Sequence, residues 1–358
     1  MHTGRDGNRG DRREPSGPDQ TLDVDAWLLS VRDRVEPFLE LAFDGLRARA
    51  ATRAPGSEIL VDAIRSLSMR AGKRFRPALV LAGFSAATSD DEAAVVPAAA
   101  ATELLQTHLL VQDDWMDQDD ERRGGPSVHA ALRASTKSPH QAAAAAILAS
   151  DLALSEAVES LLATRLPSDR ILRAEHALME SLFDVILGQY LDLDNRSRVQ
   201  RLFDLKTTSY TVRGPLRIGA ILGGGSDALL EGLDEYARHL GFAFQLRDDL
   251  LGTFGDPAKT LKPVGADLAR NKRTALVEAA ESLLDEEARA TFSSMLGRPE
   301  RVSDAQRILI DSGAKAVVES WLDDAASRAK TSLGALPARA EATWKLDALA
   351  GRLARREA

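Results

Sequence analysis

From residue 93 onward the chain is a succession of long Ala- and Leu-rich stretches with almost no period-two alternation, which limits it to a helical fold. The longest are "AAVVPAAAATELLQTHLLVQDD" (93–114), "HQAAAAAILASDLALSEAVESLLATRL" (140–166) and "RILRAEHALMESLFDVILGQYLDLD" (170–194). Further helical stretches cover 200–222, 228–251, 274–294, 303–334 and 338–356. Several are apolar around most of their circumference, as helices buried inside a large bundle are. The breaks carry turn chemistry, "SPH" at 138–140, "LPSD" at 166–169 and "GGGSD" at 223–227. Ser168, and Ser226 or Asp227, stand where they cap the following helix. No change of composition divides residues 22 to 356. The expectation is one all-α domain over residues 22–358, behind a disordered tail of residues 1–21 that mixes both signs of charge.

Composition narrows the chemistry. With 44% of 358 residues hydrophobic, a large core is available, and with no cysteine there is no disulfide, thiolate nucleophile or thiolate metal site. The net charge of −8 argues against nucleic acid as a partner, though not against small anions held by local charge. No secretory signal is apparent and no apolar run approaches the roughly 20 residues of a membrane span, so a cytoplasmic location without membrane insertion is expected.

The densest charge lies in "LLVQDDWMDQDDERRGGPSVH" (109–129), where Asp113, Asp114, Asp117, Asp119, Asp120 and Glu121 follow an apolar helical run. Asp113 and Asp117 are four apart and share a helix face, with Asp114 about 100° round. Like charges at that spacing repel. A solvated helix end accommodates them, and so does a hard divalent cation such as Mg²⁺, which takes one or two carboxylates plus substrate phosphates. A second acidic pair, Asp248 and Asp249 in "GFAFQLRDDLLGTFGDP", also ends an apolar helical run. Two such pairs facing each other across a cavity favour the metal. Cations complete the inventory: Lys73, Arg74 and Arg76 in "AGKRFRP", Arg122 and Arg123 in "ERRGGP", Lys206 in "KTTSY", and Lys262, Arg270, Lys272 and Arg273 in "LKPVGADLARNKRT". Each alone reads as a solvated patch. Gly72, Gly124 and Gly125 beside them suggest close approach of backbone to phosphate.

In order and separation, "GKRFRP", "DDWMDQDDERRGGPSVH", "KTTSYTVRGPLRIGA" and "FQLRDDLLGTFGDPAKTLKPVGADLARNKRTAL" resemble the motifs of trans-isoprenyl diphosphate synthases. The resemblance implies a helical fold around a central cavity, usually in a homodimer, and condensation of isopentenyl diphosphate with an allylic diphosphate. It implies that Asp113, Asp114 and Asp117 on one wall, and Asp248 and Asp249 on the other, bind three Mg²⁺ ions that grip the allylic diphosphate. Arg122, Lys206, Lys262 and Lys272 match positions that add to that grip. Lys73, Arg76 and Arg123 match the isopentenyl diphosphate site, as does Gln106, and Thr207 and Gln245 match groups beside the developing allylic cation. Gly252 stands where many members have a third aspartate. Gln189 and Asp192 are placed to support the site, His129 reads as structural, and Arg355 or Arg356 either closes over the site or belongs to a frayed helix end.

Other functions fit less well. A class I terpene cyclase does not need the "GKRFRP" and "RRGG" blocks, and a non-catalytic subunit of a heteromeric synthase should have lost aspartates. A diphosphate hydrolase needs a route for water. For product length, His108, Leu104 and Ala101 form one stripe below Asp113. His108 at the usual floor position, backed by Leu104 and Leu105, points to a C20 product, with C15 next. The alternative is that His108 turns toward a neighbouring helix and Leu105 sets the length.

Overall fold

The computed structural model describes residues 24–70, 72–194, 198–256 and 264–354. The tail of residues 1–21, Lys262, Arg355 and Arg356 lie outside these residues. Three helices precede those anticipated from the sequence: α1 (Val24–Arg53), α2 (Glu58–Met69) and α3 (Phe75–Ala87). Then come α4 (Val96–Met116), a short α5 (Val128–Leu132), α6 (Pro139–Leu162) and α7 (Ser168–Asp194). After α8 (Val199–Phe203) the chain winds as a π-helix over Asp204–Arg213 and resumes as α9 (Gly214–Leu222) and α10 (Asp227–Phe254). The C-terminal part holds α11 (Ala266–Ala269), α12 (Ala275–Leu283), α13 (Glu286–Ser293), α14 (Val302–Asp311), α15 (Ala314–Leu333) and α16 (Ala340–Ala354).

Boundaries follow local chemistry. Ser138 caps α6 by accepting from the Gln141 N–H, and Ser226 caps α10 by accepting from that of Leu229. Two stretches expected as single helices are broken. Asp285 accepts from the Ala288 N–H and starts α13 afresh, and Gly313, at φ 81°, takes the left-handed turn between α14 and α15.

Helices α3, α4 and α9 are buried nearly all round, as their unbroken apolar character requires. The stretch Glu92–Met116 is long and apolar enough to cross a membrane, contrary to the expectation from the sequence, but 72% of its apolar window is buried inside the bundle. One hydrophobic cluster joins α1–α4, α6, α7, α9 and the first half of α10, and a second surrounds the other half of α10 with α12, α14 and α15. Helix α10 therefore runs through both, and the acidic pair near its end is held by packing on either side.

Candidate active site

The six clustered carboxylates do not point the same way. α4 ends at Met116, so Asp113 and Asp117 stay on one face while Asp114 turns inward and is fully buried. The chain then reverses through a two-residue hairpin, Glu121–Arg122 against Gly125–Pro126. Arg123 (φ 53°) and Gly124 (φ 71°) form its turn, in the type I′ sense that suits a tight hairpin. Gly124 is thus a turn glycine. Gly125 makes room for Arg70: a Cβ there would lie 2.8 Å from its guanidinium, which donates to the Arg122 and Pro126 carbonyls. The hairpin returns Arg122 onto α4, where it donates to Asp114 at 2.5 Å and to Asp113 at 3.3 Å. Asp119 pairs with Arg270, and Asp120 with Arg133 and His129, whose ring also bonds Ser127. His129 is a structural brace.

Asp113 and Asp117 face two ammonium groups. Lys206 Nζ lies 3.4 Å from Asp113 and 2.5 Å from Asp192, and Lys272 Nζ lies 2.5 Å from Asp117 and 3.7 Å from Asp192. Burial alone would raise the Asp113 carboxyl, but Lys206, Arg122 and Lys272 outweigh it and bring it down to about 2. Lys206 is held charged because Asp113 and Asp192 overcome the cost of its own burial. Asp114 goes the other way: burial pushes it up to about 6 despite Arg122, and one of its oxygens is buried without a protein donor.

Lys206 and Thr207 lie in the π-helical segment, which α7 and α10 grip from two sides. A Cβ on Gly188 of α7 would come within 2.4 Å of the Lys206 nitrogen, and one on Gly241 of α10 within 2.3 Å of the Thr208 hydroxyl. Helical runs of i→i+5 type are rare and concentrate at functional sites. Thr207 Oγ1 donates to Gln245 Oε1 at 2.6 Å, and Gln245 Nε2 donates to Asp249 Oδ1 at 2.9 Å. Asp249 is buried, and its other oxygen accepts from the Ala275 N–H at 2.8 Å. Burial raises it to about 8, only partly offset by these two donors. Asp248, its neighbour, is half-buried. Asp267, not anticipated as a site residue, lies with Oδ2 3.4 Å from where a Gly252 Cβ would stand, so a carboxylate borders the position of the missing aspartate.

Below Asp113 and Lys206 a cavity separates α4 from α7, lined by Leu109, Leu110, Met116, Val185, Ile186 and Tyr210 among others. His108 is not on its wall. The ring turns to α6, its Nδ1 3.0 Å from the Ser150 carbonyl, and burial lowers its pKa. Leu104 and Leu105 are buried in the main cluster and do not line this cavity. The stripe through His108 is therefore not the cavity floor. The stripe one residue on, through Leu109 and Leu105, runs down from Asp113.

A second charged region gathers around Arg74, beside α4. Arg74, at φ 47° and fully buried, donates to Glu36, Glu103 and the Ser68 carbonyl. It is a brace for the flanking Lys73 and Arg76. Lys73 is exposed. Arg76 stacks 4.6 Å from the Tyr210 ring centroid and donates to Thr211. Burial lowers the Arg123 pKa; Glu103 opposes this, while Arg76, Arg74 and Arg122 reinforce it. Gln106, one turn from Glu103, is buried with an unpartnered oxygen. Several guanidinium groups around one buried carboxylate leave an excess of positive charge, which suits a polyanion. The sequence named Asp192 and Arg74 but missed Tyr210 and Glu103, because only folding brings these two to the motifs.

Among the described residues no three acidic or histidine side chains form a ready-made cage. The donors still fit Mg²⁺, since Asp113 and Asp117 offer hard oxygens on one face, at present balanced by Lys206 and Lys272. Substrate phosphates ordinarily supply the rest of such a shell.

The sequence profile of the family described as polyprenyl synthetase matches residues 57–311. A short chain isoprenyl diphosphate synthase of Methanothermobacter thermautotrophicus is 30% identical over 289 residues, 79% of this chain and 85% of that protein. A geranylgeranyl diphosphate synthase of Methanosarcina mazei is 37% identical over 226 residues, 62% of this chain and 67% of the other. The crystal structure of a geranylgeranyl pyrophosphate synthase from Corynebacterium glutamicum, complexed with isoprenyl diphosphate and magnesium, matches with a TM-score of 0.83. It is 34% identical and the match covers 94% of this chain and 100% of that one. With the helical bundle, the two cation-rich regions and the acidic helix end between them, the chain belongs to the polyprenyl synthetase family and is a prenyltransferase.

Proposed function

We propose that the chain condenses isopentenyl diphosphate head-to-tail with an allylic diphosphate, with Mg²⁺, and that its main product is the C20 geranylgeranyl diphosphate, with C15 next. The observation that carries this is an apolar cavity beginning directly under Asp113 and Lys206. A charged mouth over a dry wall is what ionisation of an allylic diphosphate needs. Asp113 and Asp117 of α4, with Asp248 of α10, would hold three Mg²⁺ ions. Bound there, the metal supplies charge for the leaving diphosphate.

The chain's own residues do the rest. When the allylic C–O bond breaks, its electron pair goes to the diphosphate, and Lys206, Lys272 and Arg122 stand where that charge grows. Thr207 spends its proton on Gln245, which leaves its oxygen lone pairs toward the developing cation. Leu109, Leu110, Val185 and Ile186 keep water from that cation. Arg76, Arg123, Lys73 and Gln106 hold the second diphosphate so that its double bond attacks the cation and forms the new C–C bond. The departing diphosphate takes the proton lost from the attacking unit, so no activated serine or cysteine is needed. An aliphatic Leu109, about 6 Å along α4 from Asp113, admits a longer chain than an aromatic floor does. A likeness to geranylgeranyl diphosphate synthases supports the same length.

A homodimer belongs to this reading. Phe183, Ile186, Leu187 and Tyr190 form an exposed apolar stripe on α7, and Ile186 also lines the cavity. The test is incubation with isopentenyl diphosphate, each allylic primer in turn and Mg²⁺, followed by product sizing. A C20 product is expected. Full-rate product formation without divalent metal, or a main product of C30 or longer, would sink the reading.

A further inference from the structure

We infer that Asp249 is a positioning residue and not a metal ligand, although it stands beside Asp248 in the second acidic pair. The inference rests on the prenyl-transfer reading and narrows it. Asp249 is buried, with 3% of its surface exposed, and each of its oxygens is taken by a protein donor. Oδ1 accepts from Gln245 Nε2 at 2.9 Å, and Oδ2 accepts from the Ala275 N–H at 2.8 Å. One turn of α10 separates Gln245 from Asp249, so the first bond fixes the amide's orientation. With its NH₂ committed to Asp249, the Gln245 oxygen faces Thr207 and accepts its hydroxyl proton at 2.6 Å. The second bond satisfies the first N–H of α12, whose start also uses Thr274 as cap.

Two parts of the site thus hang from one carboxylate. Toward the π-helical segment, the chain Asp249–Gln245–Thr207 sets where the Thr207 oxygen lone pairs point. Toward α12, the bond to Ala275 anchors the segment carrying Lys272, three residues earlier, which reaches Asp117. Asp248 and Asp249, adjacent on one helix, point about 100° apart and divide the work. Asp248 serves the cation, and Asp249 holds the frame.

The experiment compares full-length Asp248→Asn, Asp249→Asn and Ala275→Pro. Proline is tolerated at the first position of a helix, and there it removes only the N–H that Asp249 accepts. Cation affinity is read by Mn²⁺ electron paramagnetic resonance with inorganic pyrophosphate present, independently of turnover. Asp248→Asn is expected to weaken Mn²⁺ binding about tenfold or more. Asp249→Asn and Ala275→Pro should stay within about twofold of wild type in Mn²⁺ binding while kcat falls about 10- to 100-fold. Gln245→Leu combined with Asp249→Asn should be no slower than the worse single variant, since both break one chain. Mn²⁺ binding that weakens as much in Asp249→Asn as in Asp248→Asn overturns the inference, and so does Asp249→Asn or Ala275→Pro turning over at the wild-type rate. If Asp249→Asn fails to fold, Ala275→Pro and the Gln245→Leu single variant carry the same comparison. A wild-type chain that binds Mn²⁺ and pyrophosphate but makes no prenyl product would instead count against the function.

Discussion

At the scale of single residues, the two cation groups differ in what surrounds them. Lys206 is fixed between Asp113 and Asp192, at the mouth of the cavity, whereas Arg76 lies against Tyr210 and Thr211. A charge at the leaving group acts more in the transition state than in the ground state, so Lys206→Ala should lower kcat about 100-fold or more. Arg76→Ala should raise the KM for isopentenyl diphosphate about 10- to 100-fold with a smaller effect on kcat. Steady-state kinetics with each substrate varied separates the two, and identical defects would show that the sites are not distinct. His108 makes a different prediction. Its bond to the Ser150 carbonyl and its burial mark it as a packing residue, so His108→Ala should leave product length unchanged and cost about 1 kcal/mol of stability. Burial lowers its folded pKa. The unfolded chain then binds the extra proton first, and stability is lost as pH falls below the unfolded value of about 6.5 toward the lower folded one. Thermal melts of the variant should show a smaller loss over that window.

At the scale of elements, product length belongs to the face of α4 that meets the cavity. Leu109→Phe should shorten the main product by one isoprene unit and Leu109→Ala should lengthen it, read by chromatography of the dephosphorylated prenols. An unchanged distribution in both would move the length control off α4. The π-helical segment depends on the close approach of α7. In Gly188→Ala the new methyl meets the Lys206 backbone at 2.4 Å, where no flexible side chain can move aside. The overpacking should cost about 1–3 kcal/mol and displace Lys206, so kcat should fall about tenfold while helical circular dichroism is kept.

At the scale of the whole molecule, the exposed stripe on α7 is out of keeping with a monomer. Phe183 is 58% and Tyr190 68% exposed, and Ile186 joins that surface to the cavity wall. A second copy of the chain covering this face would close the wall as well as bury the stripe. Sedimentation equilibrium should give twice the chain mass of 38.6 kDa. The Phe183→Glu/Tyr190→Glu variant should sediment as a monomer and lose activity, because an open wall admits water to the cation. A monomeric wild type that is fully active would remove this role for α7.

The helical class, the order of the motifs and the division of charge were legible in the residues themselves, because helix period, capping and local charge density act over a few positions. The burial of α4 and α9 followed from their unbroken apolar character alone, whereas α3 was not anticipated. What lay beyond the sequence was direction. His108 and Leu109 are neighbours on α4, yet one bonds α6 and the other lines the cavity, and a rotation of about 100° between them decides which controls the product. Asp248 and Asp249 read as an equal pair until the Ala275 N–H, 26 residues away, takes up one of them. Gly125 owes its lack of a side chain to Arg70, 55 residues earlier, packed against it. In each case the deciding partner is remote in the chain, and only the packing of whole helices brings it within a hydrogen bond or a van der Waals radius.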